Sequence, residues 1–173
     1  MLGVIVTLAI GWALAGLVIV VAGLSAGHSR QALKIGLGAT CFAMAGLGAL
    51  GNAVLVASGF DFAGLAGASY SAAVRDGLGA TGSAQVSLFV ALLIAFQASA
   101  GLVILSGGRW VEVGLAGAIA LQVGLLAFGW WYFLTSPIMI TALALLWRAH
   151  RHQQDRPLYV PDILQAQQPG HRR

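Results

Sequence analysis

Residues 1–29 read MLGVIVTLAIGWALAGLVIVVAGLSAGHS and contain no aspartate, glutamate, lysine or arginine. A helix needs about 20 apolar residues to cross the roughly 30 Å hydrocarbon core of a bilayer. A cleavable signal peptide would need a positively charged start and a shorter apolar core, of about 7–15 residues. We therefore expect residues 3–25 to form a retained membrane-spanning helix.

Three further windows also lack these four residue types: residues 35–60, 77–108 and 113–147, which are 26, 32 and 35 residues long. Lipid cannot satisfy free backbone groups, so a spanning segment is either a helix or a strand of a closed barrel. The windows lack the alternating polar residues of barrel strands. The sequence thus predicts an all-α, polytopic helical membrane protein. The expected helices cover about residues 35–57, 85–106 and 112–133.

The last window is too long for a single span, because 35 residues at about 1.5 Å each would extend about 52 Å. Ser136 followed by Pro137 is typical of a helix start, since serine caps the first turn and proline fits its first position. The pattern predicts a break near Leu134 and a fifth segment at about 137–147. The alternative is four spans, the last one long or kinked at Pro137.

Composition excludes an ordinary soluble domain, because 59% of the residues are hydrophobic and only 8% are charged, against about 25% charged in soluble proteins. The net charge of +4 does not indicate a nucleic-acid partner, because the charges are scattered between apolar runs. Eight of the nine basic residues are arginine, and glycine and alanine are abundant. This usage indicates a bacterial source.

The distribution of basic residues favours five spans. With the N-terminus outside, five spans place eight of the nine basic residues in the cytoplasm and only Arg75 outside. Four spans with the N-terminus inside place six there, and cytoplasmic loops of membrane proteins are enriched in basic residues. We expect a bundle of residues 1–148 in the bacterial cytoplasmic (inner) membrane, followed by a polar, basic and cytoplasmic tail, 149–173. The loop 59–84 is either a short surface helix or flexible.

Asn52, Gln97 and Gln122 are the most polar side chains inside the expected spans. Each could donate an interhelical hydrogen bond or line a ligand path. No aspartate, glutamate, lysine, arginine or histidine lies in the apolar core of a span, which disfavours ion-coupled pumps and a haem held by the spans. Cys41 is the only cysteine and is expected to be a packing residue. The sequence therefore predicts no catalytic, cofactor-binding or metal-binding residue.

Small residues recur at every fourth position of three helices, and residues four apart share one helix face. Such faces let membrane helices approach closely, within one chain or between chains. The stripes are Ala45-Ala49-Ala53-Ala57, Ser87-Ala91-Ala95-Ser99 and Ala116-Ala120-Gly124.

Three arginines, Arg148 at the end of the bundle and Arg151 and Arg156 in the tail, are expected to contact anionic lipid headgroups at about 1 kcal/mol each. Residues 158–164, LYVPDIL, are apolar but too few to form a core. A glutamine- and proline-rich composition also disfavours independent folding. We therefore expect the tail to dock on a partner chain or on the membrane surface.

The sequence favours a non-catalytic accessory or structural subunit of a larger integral membrane complex, which contributes packed helices and a docking tail. The expected partners are membrane lipids and other membrane-protein subunits, and the only expected bound non-protein component is lipid. The alternative is a small oligomeric channel or carrier with Asn52, Gln97 or Gln122 along its path. An enzyme or quinone-binding protein ranks third, because no nucleophile elbow, metal motif or phosphate-binding glycine loop is present.

Overall fold

The structure is a computed structural model that describes residues 2–67, 69, 71–79, 83–127 and 130–154. Within these ranges the chain is helical apart from short turns and contains no strand, which confirms the predicted all-α class. The elements are α1 (Leu2–Ser25), α2 (Arg30–Cys41), a π-helical segment (Phe42–Leu50), α3 (Gly51–Ala57), α4 (Phe62–Gly67), α5 (Ala72–Gly79), α6 (Ser83–Leu105), α7 (Trp110–Leu125) and α8 (Trp130–Gln154).

Among the described residues, four helices are long and apolar enough to cross a membrane. They are Gly3–Ser25, Arg30–Ala57, Gln85–Leu105 and Phe133–Gln154. Helix α7 is equally apolar but has only 16 residues. Five spans were expected, and four helices meet the length needed for crossing. Helix α7 does not, so the count of five spans stays a prediction.

The second long helix runs without interruption through α2, the π-helical segment and α3. It begins at Arg30, five residues before the expected start, because the Ser29 side chain accepts a hydrogen bond from the Ala32 backbone N–H at 3.1 Å and so caps the first turn. In the π-helical segment the Gly51 N–H bonds to the Gly46 carbonyl, five residues back. The additional residue in the π-helical turn rotates the faces of the helix that follows. No sequence feature predicted the π-helical segment.

The predicted break near Leu134 is wrong. Helix α7 ends at Leu125, the chain turns through Leu126 and Ala127, and Leu134 lies inside α8. Pro137 is the eighth residue of α8 rather than its first, and α8 continues through it as a helix. The physical reason lies in Ser136, whose hydroxyl does not cap a helix but is fully buried and donates to another helix, as described below.

The five long helices form a closed ring. Helix α1 packs against α2 and α8, the π-helical segment packs against α6, and α7 lies between α6 and α8. The most deeply buried large side chains, Ile19, Leu115, Leu143 and Leu146, come from α1, α7 and α8. Many large apolar side chains face outward instead, and Leu24 is 67% exposed. A surface of this kind is typical of a bundle whose surroundings are as apolar as its core.

Glycines mark the closest helix crossings. A Cβ atom added to Gly23 of α1 would lie 2.8 Å from the Ala142 carbonyl oxygen of α8, and one added to Gly101 of α6 would lie 2.8 Å from the Ala45 Cβ. The first small-residue stripe therefore packs partly within the bundle, because Ala45 contacts α6 and Ala49 is buried. The second stripe, Ser87-Ala91-Ala95-Ser99, is exposed along its length. Its four residues are therefore not buried by the described helices.

The loop and the tail are only partly described. Between residues 59 and 84 the structure places two short helices, α4 and α5. Residues 149–154, which we assigned to the tail, continue α8. Residues 155–173, including Arg156 and the apolar segment 158–164, lie outside the described part of the chain, so the docking prediction stays a prediction.

Candidate functional site

Two of the three polar residues singled out in the sequence meet in the bundle. The Asn52 amide Nδ2 donates to Gln97 Oε1 at 2.9 Å, which joins α3 to α6. Gln97 is 4% exposed, and its amide lies against Gly48, where a Cβ would approach Nε2 to 2.8 Å. Gly48 therefore makes room for the glutamine side chain beside the π-helical segment.

Gln122 forms a separate contact. Its Oε1 accepts a hydrogen bond from the Ser136 hydroxyl at 3.2 Å, and both side chains are buried. This bond joins α7 to α8. The three predicted residues thus form two interhelical pairs instead of one common lining. Among the described residues, every buried side-chain nitrogen and oxygen has a hydrogen-bond partner.

Glu112, in the first turn of α7, is the centre of a cluster that sequence reasoning missed. Its Oε2 accepts from Arg151 Nη2 at 2.7 Å, from Arg151 Nε at 2.9 Å and from Trp147 Nε1 at 3.1 Å. The Arg151 guanidinium also lies 5.1 Å from the centre of the Trp147 ring. Trp147 and Arg151 are four residues apart, so they share one face of α8. The cluster joins the start of α7 to the end of α8.

A signal for this cluster does exist in the sequence. Glu112 is the only carboxylate between Asp76 and Asp155, and a carboxylate at the edge of an apolar run needs a cationic or donor partner. The Arg151 guanidinium, expected at lipid headgroups, pairs with Glu112 while its side chain remains 59% exposed. Its headgroup contact stays a prediction. Arg148 is exposed and does not take part.

Polar contacts gather three chain segments at one end of the bundle. Gln153 Nε2 donates to the Ala26 carbonyl at 3.4 Å, which joins α8 to the α1–α2 turn. His150 Nε2 lies 3.0 Å from the Gly108 carbonyl oxygen, which joins α8 to the α6–α7 turn. We call this the basic end, because it carries Arg30, Lys34, Arg109, Arg148 and Arg151. At the opposite end the Ser69 hydroxyl donates to the Ala127 carbonyl at 2.9 Å.

A cleft of about 640 Å³ opens at the basic end, between the α1–α2 turn and the last turns of α8. Its cationic and ring-nitrogen side chains are His28, Arg30, Arg148 and His152. Ser29 and Gln153 add polar groups, while Leu24 and Leu145 line its apolar part. We call it the basic cleft. Its chemistry is that of an anion site beside an apolar groove.

Comparison with protein-family models, curated proteins and solved structures finds no match for this chain. The described residues also hold no group of three or more histidine, cysteine or carboxylate side chains placed to bind a metal ion.

Proposed function

We propose that the chain crosses the bacterial cytoplasmic membrane five times and serves as a non-catalytic subunit of a larger membrane complex. Four helices have the length and composition for crossing. The fifth, α7, has 16 residues and so rises about 24 Å at 1.5 Å per residue. Its first turn contacts the end of α8 through Glu112, and the Ala127 carbonyl beyond its last turn accepts a bond from Ser69 at the opposite end. Contacts at the two ends of α7 thus tie it to both ends of the bundle.

The orientation follows from the charges. Five described basic residues lie at the basic end, and Arg75, which donates to the Ser69 carbonyl, lies at the other. Basic residues are enriched on the cytoplasmic side of bacterial inner-membrane proteins. The proposal therefore places the basic end, and with it the tail, in the cytoplasm.

The observation that carries the subunit role is the outward stripe Ser87-Ala91-Ala95-Ser99 of α6. Its four residues recur at a spacing that places them on one face, and all four are exposed. A helix face of small residues lets a second helix approach closely and gain dispersion contacts that lipid tails do not match. Leu88 and Leu92, both exposed, flank the stripe and would contact the sides of that second helix.

The alternative, a small oligomeric channel or carrier, finds less support. Asn52 and Gln97 satisfy one another, and Gln122 is bonded to Ser136. A polar group that lines a path exchanges its partners with water or solute, whereas paired side chains hold helices together. The bonding pattern therefore favours helix packing as the role of these residues.

An alanine-to-leucine pair tests the subunit role. Ala95→Leu adds volume to the stripe, whereas Ala13→Leu adds the same volume to an exposed face of α1. Overfilling a close contact destabilises it by about 1–3 kcal/mol. After purification in mild detergent, we expect Ala95→Leu to lose polypeptides that the wild type and Ala13→Leu retain at fixed stoichiometry. Deletion of residues 157–173 should also weaken retention if the tail docks on the same partner.

Three outcomes would count against the proposal. If Ala95→Leu and Ala13→Leu retain the co-purifying polypeptides equally well, the stripe is not part of the interface. Full retention after deletion of residues 157–173 would leave the tail without a docking role. A homo-oligomer without other polypeptides that conducts ions or solutes in liposomes would support the channel instead.

A further inference from the structure

The basic cleft concentrates positive charge, and its described lining residues include no carboxylate. His28, Arg30, Arg148 and His152 are all exposed around it. Within the part of the chain that the structure describes, the one ion pair joins Arg151 to Glu112, which lie outside the cleft. Two guanidinium groups that share a cleft and lack a carboxylate partner favour a bound anion, and guanidinium binds phosphate oxygens through two parallel hydrogen bonds.

The backbone adds to this preference. Helix α2 begins at Arg30, on the wall of the cleft, and continues for 28 residues through the π-helical segment and α3. The N-terminal end of a helix carries a partial positive charge and unpaired N–H groups. Ser29 binds one of them, the Ala32 N–H. The remaining field of the helix acts in the same direction as the arginines.

Part of the cleft lining is apolar. Leu24 of α1 and Leu145 of α8 line it beside the cationic groups. The two helices touch at Gly23 and Ala142, where a Cβ on the glycine would meet the carbonyl oxygen at 2.8 Å. Gly23 also lines the cleft, so the close approach of α1 to α8 lies at its edge.

We propose that the basic cleft binds the phosphate of an anionic phospholipid, whose acyl chain lies in the groove formed by Leu24 and Leu145. A free anion would use the charges but leave the apolar groove empty, whereas a phospholipid fits both. In a spanning bundle the cationic groups lie at headgroup depth, where basic pockets between helices bind anionic headgroups. The inference rests on the membrane location of the chain and not on its role as a subunit.

Spin-labelled lipids provide the test. The full chain is reconstituted in phosphatidylcholine vesicles with traces of spin-labelled phosphatidylglycerol or spin-labelled phosphatidylcholine, and electron paramagnetic resonance measures the immobilised fraction of each. We expect preferential immobilisation of phosphatidylglycerol. The Arg30→Gln/Arg148→Gln variant should reduce the preference at least about fivefold. Arg30→Lys/Arg148→Lys keeps the charges and should retain most of the preference for phosphatidylglycerol. This variant controls for misfolding caused by replacement of the two arginines.

Arg109→Gln is the matched control, because Arg109 lies at the same end but outside the cleft, over the Trp110 ring at 5.3 Å. An equal loss in Arg109→Gln, or no loss in the double variant, would overturn the specific site. Displacement of the lipid by millimolar inorganic phosphate would show a free-anion site instead. Preferential binding that emerges only after deletion of residues 155–173 would identify the chain's own tail as the occupant.

Discussion

At the scale of single residues, Asn52, Gln97 and Gln122 are visible in the sequence because each interrupts an apolar helix. Their partners were less predictable. Asn52 and Gln97 are 45 residues apart, and only the packing of α3 on α6 brings them to 2.9 Å. The role of Glu112 was not predicted, for a different reason. It lies at the edge of an apolar run, where a charge is ordinary, and its partner Arg151 is 39 residues away.

The Asn52–Gln97 bond gives a prediction at this scale. Gln97→Leu keeps the side-chain volume nearly constant but leaves the Asn52 amide without its acceptor. Interhelical bonds of this kind contribute about 0.6–2 kcal/mol, so we expect the free energy of unfolding to fall by about 1 kcal/mol in mixed detergent micelles.

The matched controls lie on the same two helices. Ser99→Ala alters an exposed hydroxyl of α6 that bonds only within its own helix, and its effect should stay within about 0.5 kcal/mol. Asn52→Leu/Gln97→Leu should lose less than the sum of the two single variants, because it leaves no unpaired amide. Additive losses in the free energy of unfolding, or a Gln97→Leu protein as stable as the wild type, would show that the pair does not hold α3 against α6.

At the scale of elements, the uncharged windows predicted the first three long helices to within a few residues, except for the early start of α2. The last window was divided at the wrong place. Ser136-Pro137 has the residue types of a helix start, but the buried Ser136 hydroxyl binds Gln122 instead. A serine in a cap and a serine in an interhelical bond look the same in a sequence, because only the neighbouring helix distinguishes them.

Helix crossings were also hard to locate, because the chain contains 24 glycines and the sequence does not distinguish those at a close helix contact from those that face open space. Gly23 and Gly124 form a matched pair. A Cβ at Gly23 would meet the Ala142 backbone at 2.8 Å, whereas a Cβ at Gly124 would meet no atom within 4 Å. Gly23→Ala must therefore push α1 away from α8, and Gly124→Ala fills open space on an exposed face of α7.

We expect Gly23→Ala to reduce the free energy of unfolding by about 1–3 kcal/mol, as overpacking does. Gly124→Ala should be neutral or stabilising, because alanine favours helix by up to about 1 kcal/mol over glycine. Thermal unfolding in detergent, followed by circular dichroism, compares the two. If Gly23→Ala were as stable as Gly124→Ala, α1 and α8 would not cross at this glycine.

At the scale of the whole molecule, four apolar windows, the last of them divided, predicted five spans, and four described helices have the length for crossing. The basic residues predicted which turns share an end. The structure brings the α1–α2 turn, the α6–α7 turn and the end of α8 together. Neither the closed ring nor the basic cleft could be derived from the sequence, because both depend on which helices become neighbours.

The central claim is that the chain crosses the membrane five times with the basic end in the cytoplasm. Cysteine labelling tests it most directly. In a Cys41→Ala background, Ser58→Cys places a thiol beyond the end of α3, Ser106→Cys beyond the end of α6, and Gln154→Cys at the end of α8. All three positions are exposed. A maleimide that does not cross membranes is added to intact spheroplasts and to lysed ones.

We predict that Ser58→Cys is labelled in intact spheroplasts, and that Ser106→Cys and Gln154→Cys are labelled only after lysis. The comparison of the last two variants is decisive, because five crossings place residues 106 and 154 on the same side. If only one of these two is labelled in intact spheroplasts, residues 106 and 154 lie on opposite sides and the five-crossing topology is contradicted.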